Sequence, residues 1–249
     1  MGKKVIWMVS GNKGGVGKSL LCLALASALE KRGEAYSVLD GDGRVGDVYG
    51  IFLRKIPTRL ADFRELRPDA INCRQDEVYE NMIHQMLTVS DHLIVNTPDG
   101  ADSTLIKWFD MTLKHTESNG YQFKLLYMMS DRPDGLDMLP ELARRFAYLL
   151  PIRNLFFGPV DLFSLFNSKY AYMFRSIIDF PKLRGEEVRM LFDLKTYPWE
   201  AINLKGKDTN TYTTPALVRD RLLKWQEAVS EGISNIIDGD EVANIKSQF

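Results

Sequence analysis

The sequence predicts an α/β fold, a mostly parallel twisted sheet flanked by helices. Three observations carry that expectation. Short apolar runs alternate with stretches whose apolar positions recur every three and four residues, the pattern of strands joined by helical crossovers. A Gly-rich loop, "SGNKGGVGKSL", joins the first such run to the first helical stretch. The 249 residues are 45% hydrophobic and 26% charged, an ordinary globular balance with enough apolar mass for a core.

In order, "KVIWMVS" (4–10) reads as a buried strand, and the Leu- and Ala-rich segment 18–33 as a helix closed by Gly33. A second strand is expected at 35–40. Residues 41–74 mix Gly, Pro and charges, with short helices expected around "TRLADFREL". Val78, Met82, Ile83, Met86 and Leu87 give 76–87 helical spacing, and "HLIVN" (92–96) is a third strand. A helix capped by Asp102 follows at 102–115, then a strand at 122–130 and a helix at 136–150. Residues 152–158 and 175–180 are weaker strand candidates. The last element is a helix from 215 to 237, capped by Thr214, started by Pro215 and followed by a short acidic tail. Its stripe runs Val218, Leu222, Trp225, Val229, Ile233, Ile236, and it is expected to pack on protein. No repeat, low-complexity tract or linker divides the chain, so a single domain over 1–249 is expected.

Bulk properties narrow the function. A net charge of −1 gives no general affinity for polyanions, so nucleic-acid binding needs a local basic patch. The two cysteines, Cys22 and Cys73, form no C-x-x-C pair, which argues against a zinc or disulfide framework and fits reduced thiols. No run of about 18 uncharged apolar residues occurs, so a cytoplasmic, non-membrane protein is expected.

The loop carries the chemistry. Gly17, Lys18 and Ser19 close the pattern G-x-x-x-x-G-K-[ST] between a strand and a helix, with Asn12 in place of the first glycine. Backbone N–H groups from Gly14, Gly15, Val16 and Gly17 through Ser19 and Leu20 can cradle phosphates at the positive end of the helix. Lys18 is placed to reach the β- and γ-phosphates, and Ser19 to hold Mg²⁺. ATP or ADP with Mg²⁺ is therefore the expected cofactor set. Lys13, five residues before Lys18, is not explained by this pattern.

The string "KGGVGKS" resembles the deviant Walker A motif of the ParA/MinD family of P-loop ATPases. The resemblance implies a P-loop NTPase fold of the SIMIBI type, an ATPase activity, and an ATP-dependent homodimer in which Lys13 contacts the phosphates held by the other subunit. A cation aimed across an interface at a γ-phosphate couples association to nucleotide state and neutralises charge in the transition state. The resemblance also assigns "VLDGDGRVGD" to switch I: Asp42 positions or deprotonates the attacking water, and Asp40 lies near the metal. "LIVNTPDG" (93–100) resembles switch II except that Asn96 stands where an acid normally holds a metal-bound water. That exchange predicts slow hydrolysis, with Asp99 as the nearby acid to compensate. Adenine contacts fall on Asn154, Phe180 and Pro181. The likeness is strong over 1–130 and an outline beyond. "NTPDG" and "RNLFFG" point to the plasmid stability and conjugation ATPases of the StbB and TraL type.

The expected function is an ATP-dependent switch for plasmid DNA positioning, segregation or conjugation, working with an adaptor protein and reaching DNA directly or through it, at the nucleoid. Alternatives are a dethiobiotin synthetase-like ligase and a MinD-like positioning regulator. The acidic residues Asp238, Asp240 and Glu241 argue against a lipid-binding end, and the lack of C-x-x-C against an iron–sulfur carrier. Arg54, Lys55, Arg59, Arg64 and Arg67 form a candidate phosphate-binding face.

Overall fold

The computed structural model describes residues 4–11, 13–65, 74–100, 120–203 and 214–237, with backbone alone for 74–80 and 235. Seven strands make one sheet: β1 (Lys4–Gly11), β2 (Tyr36–Asp40), β3 (Thr58–Leu60), β4 (His92–Asn96), β5 (Tyr121–Met129), β6 (Leu149–Asn154) and β7 (Ile178–Phe180). Their order is β3-β2-β4-β1-β5-β6-β7, and every pairing is parallel. β1 is central: β2, β3 and β4 are laid down on one side of it and β5, β6 and β7 on the other, and the crevice at the carboxyl ends of β1, β4 and β5 is where such sheets place ligands.

Alternation along β1 sorts the core into two layers. Val5, Trp7 and Val9 join the cluster built with α1 (Lys18–Arg32) and α8 (Ala216–Ile237). Ile6 and Met8 point the other way, into the cluster with α3 (Arg74–Val89) and α4 (Leu139–Arg145). Both faces are covered, which is why the strands read as continuous apolar runs. α1 is a helix because Leu and Ala fill it, and it ends where Gly33, in the left-handed region at φ 71°, donates to Glu30 O.

α8 lies in the first layer, where Leu222, Trp225, Val229, Ile233 and Ile236 are buried as its stripe predicts and Val218 is partly buried. The buried Lys124 ammonium of β5 sits 4.9 Å over the Trp7 ring and donates to the Ile236 carbonyl at the end of α8. A cation there answers both the ring face and the helix terminus. Among the described residues no helix is long and apolar enough to cross a membrane.

The structure corrects several expectations. The helix expected at 136–150 is a 3-10 turn, Leu136–Met138, then α4, which stops as Phe146 turns extended at φ −108°. Leu149 and Leu150 instead pair with Leu125 and Leu126. Pro151 disguises this strand, since proline lacks the ladder donor. It is tolerated because pairing with β7 starts only at Ile152. "TRLADFREL" opens with edge strand β3 followed by a 3-10 turn at Phe63–Glu65. Thr214 does not cap α8: its buried hydroxyl has no hydrogen-bond partner among the described residues, and Pro215 O accepts the first turn's bond from Arg219 N at 2.9 Å. Four short helices have no counterpart among the expected elements: α2 (Asp47–Phe52), α5 (Ser164–Lys169), α6 (Gly185–Asp193) and α7 (Pro198–Asn203). α2, α5 and α7, of six residues each, are too short to show a period, whereas α6 has nine residues and turns Glu187, Val188, Leu191 and Phe192 to its covered side. The helix expected at 102–115 and the acidic tail lie outside the described residues.

Leu222 is fully buried between α8 and the core. Leu222→Ala is expected to cost about 2–5 kcal/mol. Urea unfolding checks this: the midpoint should fall with little change in slope.

Candidate functional site

The loop 11–18 crosses from the end of β1 to the start of α1. Val16 is fully buried and anchors it to the core. Gly17, the N-cap position, has φ 104°, and a Cβ there would lie 2.6 Å from Asn154 Nδ2. Only glycine combines that backbone with that approach. Asn154, at the end of β6, donates from Nδ2 to Val16 O at 2.8 Å and accepts at Oδ1 from Phe156 N at 3.0 Å. The strand therefore holds the loop by one amide.

α1 begins at Lys18 with no side-chain cap and no acid in its first turn, so its orphan N–H groups and positive end are not neutralised by α1 itself. Lys18 is buried. Its ammonium donates to Lys13 O at 3.1 Å and forms an ion pair with the Asp99 carboxylate. Lys13 is more exposed, and its ammonium lies 3.4 Å from Asp134.

The second wall comes from the ends of β2 and β4. Asp40 is fully buried, and three donors satisfy it: Asp42 N at 3.1 Å and Asn96 Nδ2 at 2.9 Å on Oδ1, and Tyr49 N at 2.9 Å on Oδ2. Burial pushes the Asp40 pKa up, and the three hydrogen bonds oppose it. A carboxylate only accepts, so Asn96 must turn its NH₂ toward Asp40, which leaves its oxygen 3.8 Å from Cys22 Sγ. Asp42 accepts from Arg64 Nη1 at 2.8 Å.

A cavity of about 490 Å³ opens at this junction. It gathers Gly15, Gly17, Lys18, Ser19, Leu20, Asp42, Asn96, Asn154 and Pro181 from the residues singled out in the sequence. Lys13, Gly14, Val16, Asp40 and Phe180 do not line it. Phe180 is core: its ring meets Trp225 edge-on at 5.4 Å. Phe156, half exposed, lines the cavity, as do Val188, Arg189 and Phe192 of α6. The aromatic run around Phe156 reads as packing, and nothing in the run marks which ring faces out. Asp99 also lines the cavity, but it lies on Lys18 and not beside Asn96.

These residues fit a nucleoside polyphosphate. The cavity is of ligand size; an open helix N-terminus and a buried lysine meet at one end, and Phe156, Pro181 and Phe192 supply apolar surface. They also fit Mg²⁺ held mainly by phosphates and water, with the Ser19 hydroxyl in the cavity and Asp42 nearby. Asp40, closed off by its three donors, would act from behind that shell.

Comparisons with known proteins agree with this geometry. Residues 2–68 match a family model described as ParA: NUBPL iron-transfer P-loop NTPase. Protein MobD of Acidithiobacillus ferrooxidans is 25% identical over 167 residues, 66% of this chain and 69% of MobD. A solved structure described as a plasmid partition protein, from Borrelia burgdorferi with AMPPNP bound, superposes with TM-score 0.57 at 14% identity, over 94% of this chain and 100% of that one. The MinC:MinD cell division complex of Aquifex aeolicus matches with TM-score 0.55 at 12% identity, over 96% and 97%. At these identities the solved structures share the fold.

The Gly17 contact yields a stability test. Gly17→Ala forces a left-handed alanine, about 1–2 kcal/mol, and pushes Asn154 aside. Gly50→Ala, in α2 with open space around it, is the control and should be neutral or stabilising. Chemical denaturation of the two variants against the parent reads the difference.

Proposed function

We propose that this chain, whose residues 2–68 match a ParA family model, is a ParA-like P-loop ATPase that acts as an ATP-dependent dimeric switch in plasmid DNA positioning, segregation or conjugation. The observation that carries the reading is the division of labour between the two loop lysines. Lys18 faces the cavity, while Lys13, five residues away, is outside its lining and near the surface. A lysine so placed is free to serve a second subunit's phosphates at the cost of one exposed contact with Asp134. Nucleotide state then biases association, and association biases partner binding.

The roles follow the positions. The loop and Ser19 take the phosphates and Mg²⁺, and Asp42 serves the attacking water. Asn154, Pro181 and Phe156 border the base. An adaptor protein is favoured over direct DNA contact, because acids already meet much of the basic cluster: Lys55 with Glu200, Arg64 with Asp42 and Asp62. Arg67 lies outside the described residues. The MinC:MinD complex illustrates a protein of this fold acting with a second protein.

Lys18→Ala should lose Mg-ATP binding. Each hydrogen bond from a charged group contributes about 1.5–3 kcal/mol, so two lost bonds cost ~100-fold or more in affinity. Unchanged calorimetric affinity would refute the phosphate-loop reading. Lys13→Ala should bind ATP in the monomer nearly as the parent does, yet fail to associate in ATP. Light scattering in ATP and in ADP reports this, and parent-like association by the variant sinks the role in trans.

Hydrolysis should be slow. Asn96 brings no charge to the metal's outer shell and its amide donor is committed to Asp40. Outer-shell partners matter ~10–100-fold in affinity or activity. A single-turnover assay decides, and a parent rate near the enzyme median of about 10 per second would contradict the argument.

A further inference from the structure

We infer that Asp99 is an internal anion seated in the phosphate cradle, and that it lowers the loop's affinity for every phosphate ligand that must displace it. The inference rests on the nucleotide reading above and concerns the same site. The Asp99 carboxylate pairs through Oδ1 with the Lys18 ammonium. Its Oδ2 presses on the loop backbone, so close to Gly14 that a Cβ there would clash with it. The Lys18 side chain is 8% exposed and that of Asp99 51% exposed. A buried cation is thus answered by a half-solvated acid that also lines the cavity.

The geometry makes Asp99 displaceable. It sits in the short turn Thr97–Gly100, where Gly100 has φ 68° and open space on the side where a Cβ would stand. Removing its carboxylate from Lys18 exposes one ion pair to exchange. An incoming orthophosphate only replaces one anion by another on Lys18, so its gain is small. A di- or triphosphate also reaches the uncapped N–H groups of α1 and the Ser19 hydroxyl, and so outcompetes the carboxylate. Asp99 therefore sets a common threshold for every phosphate ligand, and ligands with more linked phosphates overcome it through their further contacts. It also ties the turn after β4 to occupancy of the loop, since the carboxylate leaves Lys18 whenever a phosphate arrives.

The test is calorimetry, first without and then with magnesium, using ADP, pyrophosphate and orthophosphate on the parent and on Asp99→Asn, which keeps the size and removes the charge. The variant should bind ADP, pyrophosphate and orthophosphate more tightly, each by a similar factor of about 3–10. Equal or weaker binding by the variant overturns the inference, as does a loss confined to magnesium-containing buffer, which would make Asp99 a metal-side acid. A second measurement needs no nucleotide. Acylation of Lys18 by acetic anhydride, followed by peptide mass spectrometry, should run several-fold faster in Asp99→Asn and in Asp99→Ala, because the carboxylate no longer covers the amine. Unchanged Lys18 reactivity in both variants overturns the inference. If the parent binds neither ADP nor pyrophosphate, the nucleotide reading fails, and Lys18 reactivity still decides whether Asp99 holds the lysine.

Discussion

The site depends on one amide. Asn154 reaches from the end of β6 beneath the loop, gives its NH₂ to Val16 O and takes Phe156 N on its oxygen. Its closeness excludes a side chain at Gly17, and that exclusion lets the loop enter α1 in a left-handed conformation. The amide is only in place because β6 pairs with β5 in a register that runs from Leu149 with Leu125 to Arg153 with Met129. A sheet register therefore sets the position of a lysine on a helix two strands away. Two cores, one per face, hold that register rigid.

Charge in the site follows a second rule: each buried ionic group has its donors or its partner within the wall. Asp40 takes three donors, and one is Asn96. An aspartate at 96 would face Asp40 at the 2.9 Å that now separates amide from carboxylate. Two carboxylates that close do not both stay ionised without a further cation between them. The departure from the expected acid thus has a local reason in the resting protein. It removes a repulsion and turns a metal-side position into a support for Asp40.

Much of this is readable from residue order, and the failures share causes. β1, β4 and α1 are clear because unbroken apolar runs mark buried strands and a long Leu- and Ala-rich segment marks a helix, and α8 is clear from its stripe. β6 begins earlier than its residues suggest because Pro151 looks like a boundary, and only the three-dimensional fact that β7 joins at Ile152 excuses it. β3 and the six-residue helices α2, α5 and α7 have no local period to read. In the site, a spacing rule marks the loop, while Asp42, Asn96 and Asn154 are pointed to by the family resemblance, and the fold gathers all three at the cavity. Phe156 and Phe180 show the limit. They occupy equivalent-looking aromatic positions near strand ends, yet one ring lines the cavity and the other fills the core against Trp225. The partners of Lys18 and Asp42, namely Asp99 and Arg64, come from folding distant turns together and leave no spacing to find.

Cys22 sits one turn into α1, fully buried behind Lys18 and against the Asn96 amide. Burial pushes its thiol pKa up, with Asp40 adding to the effect. A thiol held neutral and out of reach is inert to alkylating reagents while this wall is closed. Its labelling rate is therefore a clock for local opening at the base of the loop, timed by hydrogen bonds that break there and independent of whether any ligand turns over.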